Sequence, residues 1–164
     1  FDPVAGNRYL RQTSGESYAC RVFMLTFAGA STKQFFMILR NLLWVGLGSF
    51  AGGVLRYLVA LYTRNHGYDG FFPWGTLTVN LAGSFLLGVF FALAMRFPLF
   101  AGEMRLLLMV GLCGGFTTFS SFMQENFLLL QSGQYFAAAT YMLASLAGGM
   151  LLFFLAFTAV KLLV

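Results

Sequence analysis

From residue 42 onward the chain alternates long apolar runs with short polar interruptions, and the runs are of bilayer length. Four can be read, at about 42–62, 75–95, 104–131 and 135–163, each near or above the ~20 residues that cross hydrocarbon as a helix. Turn-forming residues separate them: Asn65, Gly67, Asp69, Gly70 and Pro73 after the first run, Phe97-Pro98 after the second. The pattern predicts an all-α membrane protein with four transmembrane helices.

The third run departs from the pattern. Gly111 to Glu125 reads Gly-Leu-Cys-Gly-Gly-Phe-Thr-Thr-Phe-Ser-Ser-Phe-Met-Gln-Glu, between apolar flanks at Leu106–Val110 and Phe127–Leu130. Gly111, Gly114 and Gly115 each weaken a helix by about 1 kcal/mol. Thr117, Thr118, Ser120 and Ser121 offer the backbone other hydrogen-bond partners. The expectation is a third helix broken mid-span near Gly114 to Thr118, with Gly115 and Thr118 as structural residues of the break and Phe119 opening a second half-helix. Broken backbone at membrane depth is tolerated only inside protein or against a cavity. The break is therefore a candidate functional site.

The other runs carry smaller signals. In the first, Gly48 and Gly52 allow close helix contact, and Arg56 near the far end reads as a structural, snorkelling side chain rather than a pathway residue. In the second, Thr76, Asn80 and Ser84 recur every four residues and line one face. Hydroxyls alone read as glue between helices, but the Asn80 amide needs partners that its own helix does not supply. Phe119 and Phe122 share a face, with Ser120 and Ser121 between them. Glu125 is open between a pathway mouth and a solvated helix-end charge. In the fourth run Tyr141, Ser145 and Gly149 form a second stripe.

Residues 1–36 do not match the rest. Arg8, Arg11, Glu16, Arg21 and Lys33 punctuate them, and the apolar run Val22 to Ala30 is too short to span. Met37-Ile38-Leu39-Arg40 reads like a natural start. Residues 1–36 are thus expected to be an N-terminal extension, poorly ordered or dispensable, with a surface-lying amphipathic segment as the alternative. Residues 37–164 are expected to be the four-helix channel domain.

Composition agrees with the bilayer. Charged residues make up 9% of the chain against about 25% in soluble domains, and mean hydropathy is +0.79. The net charge of +5 sits at the chain's start and at helix ends, which fits topology control and lipid headgroups rather than nucleic acid. Arg40, Arg96, Arg105 and Lys161 fall on the side of the termini and place it in the cytoplasm of a multi-pass protein of the cell (inner) membrane. Cys20 and Cys113 lack metal-ligand spacing and lie in different regions, so no disulfide is expected.

Catalytic chemistry finds no footing. Past residue 36 the acids are Asp69, Glu103 and Glu125, and the lone histidine, His66, lies in a loop. There is no paired carboxylate, no nucleophile with a base and no Walker loop, so an enzyme is not expected. A proton-coupled exporter would need a carboxylate inside a span. Four short helices do not comfortably enclose a dry pathway alone, so an oligomer is expected. What remains is a passive pathway. A half-helix opening at Phe119 aims its N–H groups and positive dipole end at the break. Ring edges of Phe119 and Phe122 and the amide of Asn80 suit a small anion, while carbonyls freed at the break suit a cation such as sodium.

Several motifs in register carry a resemblance. Gly-Gly-Phe-Thr-Thr-Phe-Ser-Ser-Phe at 114–122, Arg56-Tyr57 after Gly52-Gly53, and Trp74-Gly75-Thr76-Leu77-Thr78-Val79-Asn80 with Gly83 resemble the Fluc-type fluoride channels of microbes, over Met37 to Val164. The resemblance implies a passive fluoride channel assembled as an antiparallel, dual-topology homodimer in the lipid bilayer. It implies a structural sodium ion (Na+) at the dimer centre, held by main-chain carbonyls of Gly114 and Thr117. Phe119 and Phe122 would be the ring-edge pair and Asn80 an anion donor. Thr76, Ser121, Tyr141 and Ser145 would extend the anion pathway, with Glu125 near a mouth. Gly149 stands where some relatives carry a further serine. The one-sided charge also admits an oppositely oriented paralogue as partner. A small dual-topology drug-efflux transporter and a structural subunit of a membrane complex are the alternatives.

Overall fold

A computed structural model describes residues 32–67 and 72–163. The expectations for residues 1–31, including Cys20 and the run Val22 to Ala30, lie outside this range, as do those for Asp69 and Gly70. Four long helices follow one another: α1 (Thr32–Asn65), α2 (Trp74–Arg96), α3 (Glu103–Gln131, interrupted) and α4 (Tyr135–Leu163). All four are long and apolar enough to cross a membrane. Among the described residues there is no strand. The chain is an all-helical, multi-pass membrane protein, and its residues from Asn41 onward form one compact unit.

Helix ends follow local chemistry. α2 stops at Phe97, extended at φ −116° and ψ 122°, because the residue before a proline avoids the helical region. The turn between α3 and α4 closes at Gly133 with φ +76°, where an L side chain would be strained. The described part of α1 begins at Thr32.

Two packing seams organise the helices. α2 and α4 lie together along most of their lengths, with Gly88 of α2 seated on the Phe153 carbonyl and Ala156. α1 crosses the first half of α3 backbone to backbone. A Cβ on Gly48 would strike the Leu107 carbonyl, and one on Gly52 the Leu112 carbonyl. Gly111 and Gly115 return the contact, where a Cβ would stand 2.9 Å from the Val45 oxygen and 2.6 Å from the Ser49 oxygen. In lipid such close approach supplies dispersion contact that the hydrophobic effect does not.

This corrects the reading of the glycines as helix breakers. Gly114–Phe116 is helical, with Gly114 at φ −64° and ψ −36°. Gly111 and Gly115 lie in helix because α1 needs their missing side chains. The preceding Leu106–Cys113 is π-helical, a wider turn that the hydropathy pattern does not encode.

A buried core occupies one end of the bundle, where Leu77 of α2 meets Phe122 and Leu129 of α3 and Ala137, Ala138 and Tyr141 of α4. Elsewhere large apolar side chains such as Leu47, Phe50, Leu143 and Phe154 are exposed, as a bilayer solvent permits.

Candidate functional site

The interruption of α3 is two residues wide, narrower than the expected Gly114 to Thr118. Thr117 (φ −74°, ψ 155°) and Thr118 (φ −144°, ψ 121°) are extended, and helix resumes at Phe119–Gln131. In a continuous helix the Thr118 N–H would bond the Gly114 carbonyl. Here it donates to Asn80 Oδ1 at 2.9 Å, and Asn80 Nδ2 donates back to the Thr118 carbonyl at 3.2 Å. Arg56 Nη1 reaches the Thr117 carbonyl at 3.4 Å. Arg56, read as a snorkelling residue, thus turns toward the break and gives a carbonyl freed there a charged donor.

The hydroxyls finish the two helix ends. Thr117 Oγ1 donates to the Cys113 carbonyl at 2.9 Å and closes the first half. Thr118 caps the second half, its Oγ1 accepting the Ser121 N–H at 3.3 Å and donating to Ser121 Oγ at 3.1 Å. The N–H and carbonyl groups of Thr117 and Thr118 all find partners inside the protein, which is what extended backbone in hydrocarbon requires.

Two cavities flank the break. The first, about 340 Å³, is lined by Asn80, Ser84, Gly114, Thr117, Phe119 and Ser145, among others. Phe122 also borders it, with its ring centroid 5.9 Å from that of Phe119 and 5.0 Å from that of Tyr141. The two phenylalanines differ in burial, Phe122 at 4% exposure and Phe119 at 69%. Ser145 Oγ is buried against this cavity without a hydrogen-bond partner. The second cavity, about 290 Å³, lies toward Arg56, Tyr57, Thr76, Ser121 and Glu125.

Glu125 joins three helices. Thr76 Oγ1 of α2 donates to its Oε1 at 2.6 Å, and the Tyr141 hydroxyl of α4 donates to its Oε2 at 2.6 Å. A carboxylate held this way is not a solvated helix-end charge. Tyr141 is fully buried and links Glu125 to the Phe122 ring. Glu125 and Thr76 also border a larger cavity of about 700 Å³, lined further by Gln131 and Gln134.

The structure therefore brings Asn80, Thr117, Phe119, Phe122 and Ser145 around one cavity, and Arg56, Thr76, Ser121 and Glu125 around the next. Gly115 stands apart, turned toward Ser49. Gly149 packs against Ser84, where a Cβ would lie 3.2 Å from Oγ. Sequence reasoning did not single out Asn126, which is 5% exposed and donates from Nδ2 to the Phe122 carbonyl at 2.8 Å. The signal was available: an amide four residues past Phe122 on the buried face. Among the described residues no group of three or more His, Cys, Asp or Glu side chains stands ready for a metal. The oxygens on offer to a cation are main-chain carbonyls of the break, where Gly114 has lost its Thr118 donor.

Comparison with known proteins agrees with this architecture. Residues 43–157, from within α1 to within α4, match the family described as CrcB-like protein, Camphor Resistance (CrcB). A protein of Chlorobaculum tepidum named fluoride-specific ion channel FluC is 49% identical over 114 residues, covering 70% of this chain and 89% of that protein. Proteins of the same name from Leptospira interrogans (47% over 111 residues, 67% of this chain and 86% of that protein) and Phocaeicola vulgatus (44% over 113 residues, 69% and 92%) are similar to a like extent. With the family match spanning the break and every residue that lines the two cavities, the chain belongs to the CrcB-like family.

Proposed function

We propose that this chain is a passive, fluoride-specific ion channel of the cell membrane that lets fluoride leave the cytoplasm. The observation that carries the reading is the line of polar groups beside the break, in a chain whose relatives are named fluoride-specific ion channels. It runs from Ser145 and Asn80 past the Phe119 and Phe122 rings to Tyr141, Thr76 and Glu125. Permeation makes and breaks no covalent bond, and a negative interior drives an anion outward by about 2.3 kcal/mol per charge per 100 mV.

Each group has a part. Asn80 spends one amide N–H on Thr118 and keeps the other for the anion. The partnerless Ser145 hydroxyl is a second donor. Ring edges of Phe119 and Phe122 present the positive part of the aromatic quadrupole to a small anion. These groups replace the tight hydration of fluoride with N–H, O–H and ring-edge contacts. Ser121, Thr76 and Tyr141 continue the path, with Glu125 ordering the hydroxyls near a mouth.

The pathway is completed by a second copy, packed antiparallel as a homodimer, or by an oppositely oriented paralogue. Phe119, mostly exposed on one copy, and Gly114, whose missing side chain faces open space, support a partner across this surface. The carbonyls of Gly114 and Thr117 are hard oxygen donors that fit sodium. One copy offers too few, and two copies double the number. Bound there, sodium would contribute positive charge that holds the breaks of two copies together.

The test is fluoride release from liposomes containing the purified full chain, read with a fluoride electrode beside a chloride control. Fast fluoride release with chloride retained is expected. Equal release of both ions, or none from protein shown to be folded and inserted, overturns the reading.

A further inference from the structure

A cavity of about 480 Å³ lies at the C-terminal ends of α2 and α4, far from the break in sequence and sharing no residue with the cavities beside it. Its apolar part is Ala92, Met95, Phe157 and Val160, and its cationic part is Arg96 and Lys161. Arg96 sits in the last turn of α2 and Lys161 in the last turn of α4. Among the described residues no carboxylate lines the cavity. We propose that it binds an anionic phospholipid, with the phosphate between Arg96 and Lys161 and an acyl chain along Met95 and Phe157.

A simpler account places these cations at helix ends to complement the dipole and anchor the spans. That account needs one cation on each helix and no space between them. Here two cations from different helices border one cavity with an apolar floor. At the rim, Met95 is 70% and Leu162 82% exposed. A phosphate oxygen can take charge-assisted hydrogen bonds from both cations. A free inorganic anion would satisfy the charges but leave the apolar floor unfilled. A zwitterionic lipid would fill the floor but bring its own cation beside Arg96 and Lys161. An anionic lipid satisfies both parts.

The experiment measures lipid retention and thermal unfolding of the full chain in neutral detergent. Phosphatidylglycerol, phosphatidylcholine and inorganic phosphate are added separately at matched concentration. Phosphatidylglycerol is expected to be retained and to raise the melting temperature more than phosphatidylcholine, with inorganic phosphate inert. Each cation near a membrane surface contributes about 1 kcal/mol, so removing one lowers the preference for phosphatidylglycerol roughly fivefold. Arg96→Gln/Lys161→Gln is expected to abolish it, and Arg96→Lys/Lys161→Arg to keep it. Equal responses to the two lipids, or a preference surviving the double glutamine change, overturns the proposal. A shift with inorganic phosphate as large as with the lipid overturns it in favour of a free-anion site. Should the double variant not fold, Lys161→Gln alone decides through the same fivefold measure. No arm reads fluoride, so this outcome stands apart from that of the channel reading.

Discussion

Asn80 grips the Thr118 peptide from both sides, accepting its N–H at 2.9 Å and donating to its carbonyl at 3.2 Å. A side chain on α2 thereby replaces the rung that the Thr118 N–H would make in a continuous α3 and gives the Thr118 carbonyl an added donor. Asn80→Ala is expected to cost about 1–3 kcal/mol, because a buried peptide loses its partners, and to suppress fluoride flux. Thermal unfolding in detergent and liposome flux check the two effects. Wild-type stability would mean that Thr118 is held by something else.

Phe119 and Phe122 separate flux from folding. Phe122, at 4% exposure, is core, so Phe122→Ala should cost about 3–5 kcal/mol. Phe119 is 69% exposed, and Phe119→Ala should cost a single chain about 0.5 kcal/mol or less. Both should lower flux. Equal melting temperatures for the two variants would contradict the burial difference.

At the seam between α1 and α3, neighbouring glycines should behave in opposite ways. A Cβ on Gly48 or Gly52 meets backbone, which cannot rotate away, whereas one on Gly46 meets nothing within 4 Å. Gly48→Ala and Gly52→Ala should each cost about 1–3 kcal/mol or prevent folding. Gly46→Ala should be neutral or stabilising by up to about 1 kcal/mol, from helix propensity. Recovery of folded protein from detergent is the readout.

The hydroxyls of Thr76 and Tyr141 act through one carboxylate. Thr76→Val and Tyr141→Phe should each cost about 1.5–3 kcal/mol, as hydrogen bonds to a charged group do. Because both meet at Glu125, combining either with Glu125→Gln should depart from additivity by about 0.5 kcal/mol or more. Additive losses would show that the three groups do not share a network.

Gly114→Ala tests the second copy. No atom of its own chain lies within 4 Å of the added Cβ, so the single chain should keep its helix content. A partner packed across that surface would be displaced, and the dimer fraction in cross-linking should fall. An unchanged dimer would place the partner elsewhere.

The four helices were legible because hydropathy at bilayer length has few other solutions. The interruption was legible from hydroxyls clustered in an apolar run, and Asn80 stood out as an amide with no partner on its own helix. The glycines were misread for a physical reason. Glycine's cost to a helix is local, whereas the contact that outweighs it, Gly48 and Gly52 on Gly111 and Gly115, joins residues some sixty apart in the chain. The same holds for Arg56, whose acceptor at Thr117 comes into reach only when α1 crosses α3. The π-helical turns at Leu106–Cys113 left no mark in residue spacing.

The clasp on Thr118 also sets an order of assembly. Its partner groups come from α2, and the Thr117 carbonyl leans on Arg56 of α1. Until those helices are beside it, the kink of α3 would offer bare peptide groups to lipid at several kcal/mol each. The third segment must therefore leave the insertion machinery either as a straight helix that bends on docking or already pressed against its two predecessors. Native geometry at the kink is a product of association, and the cavities beside it come into existence only with the finished bundle.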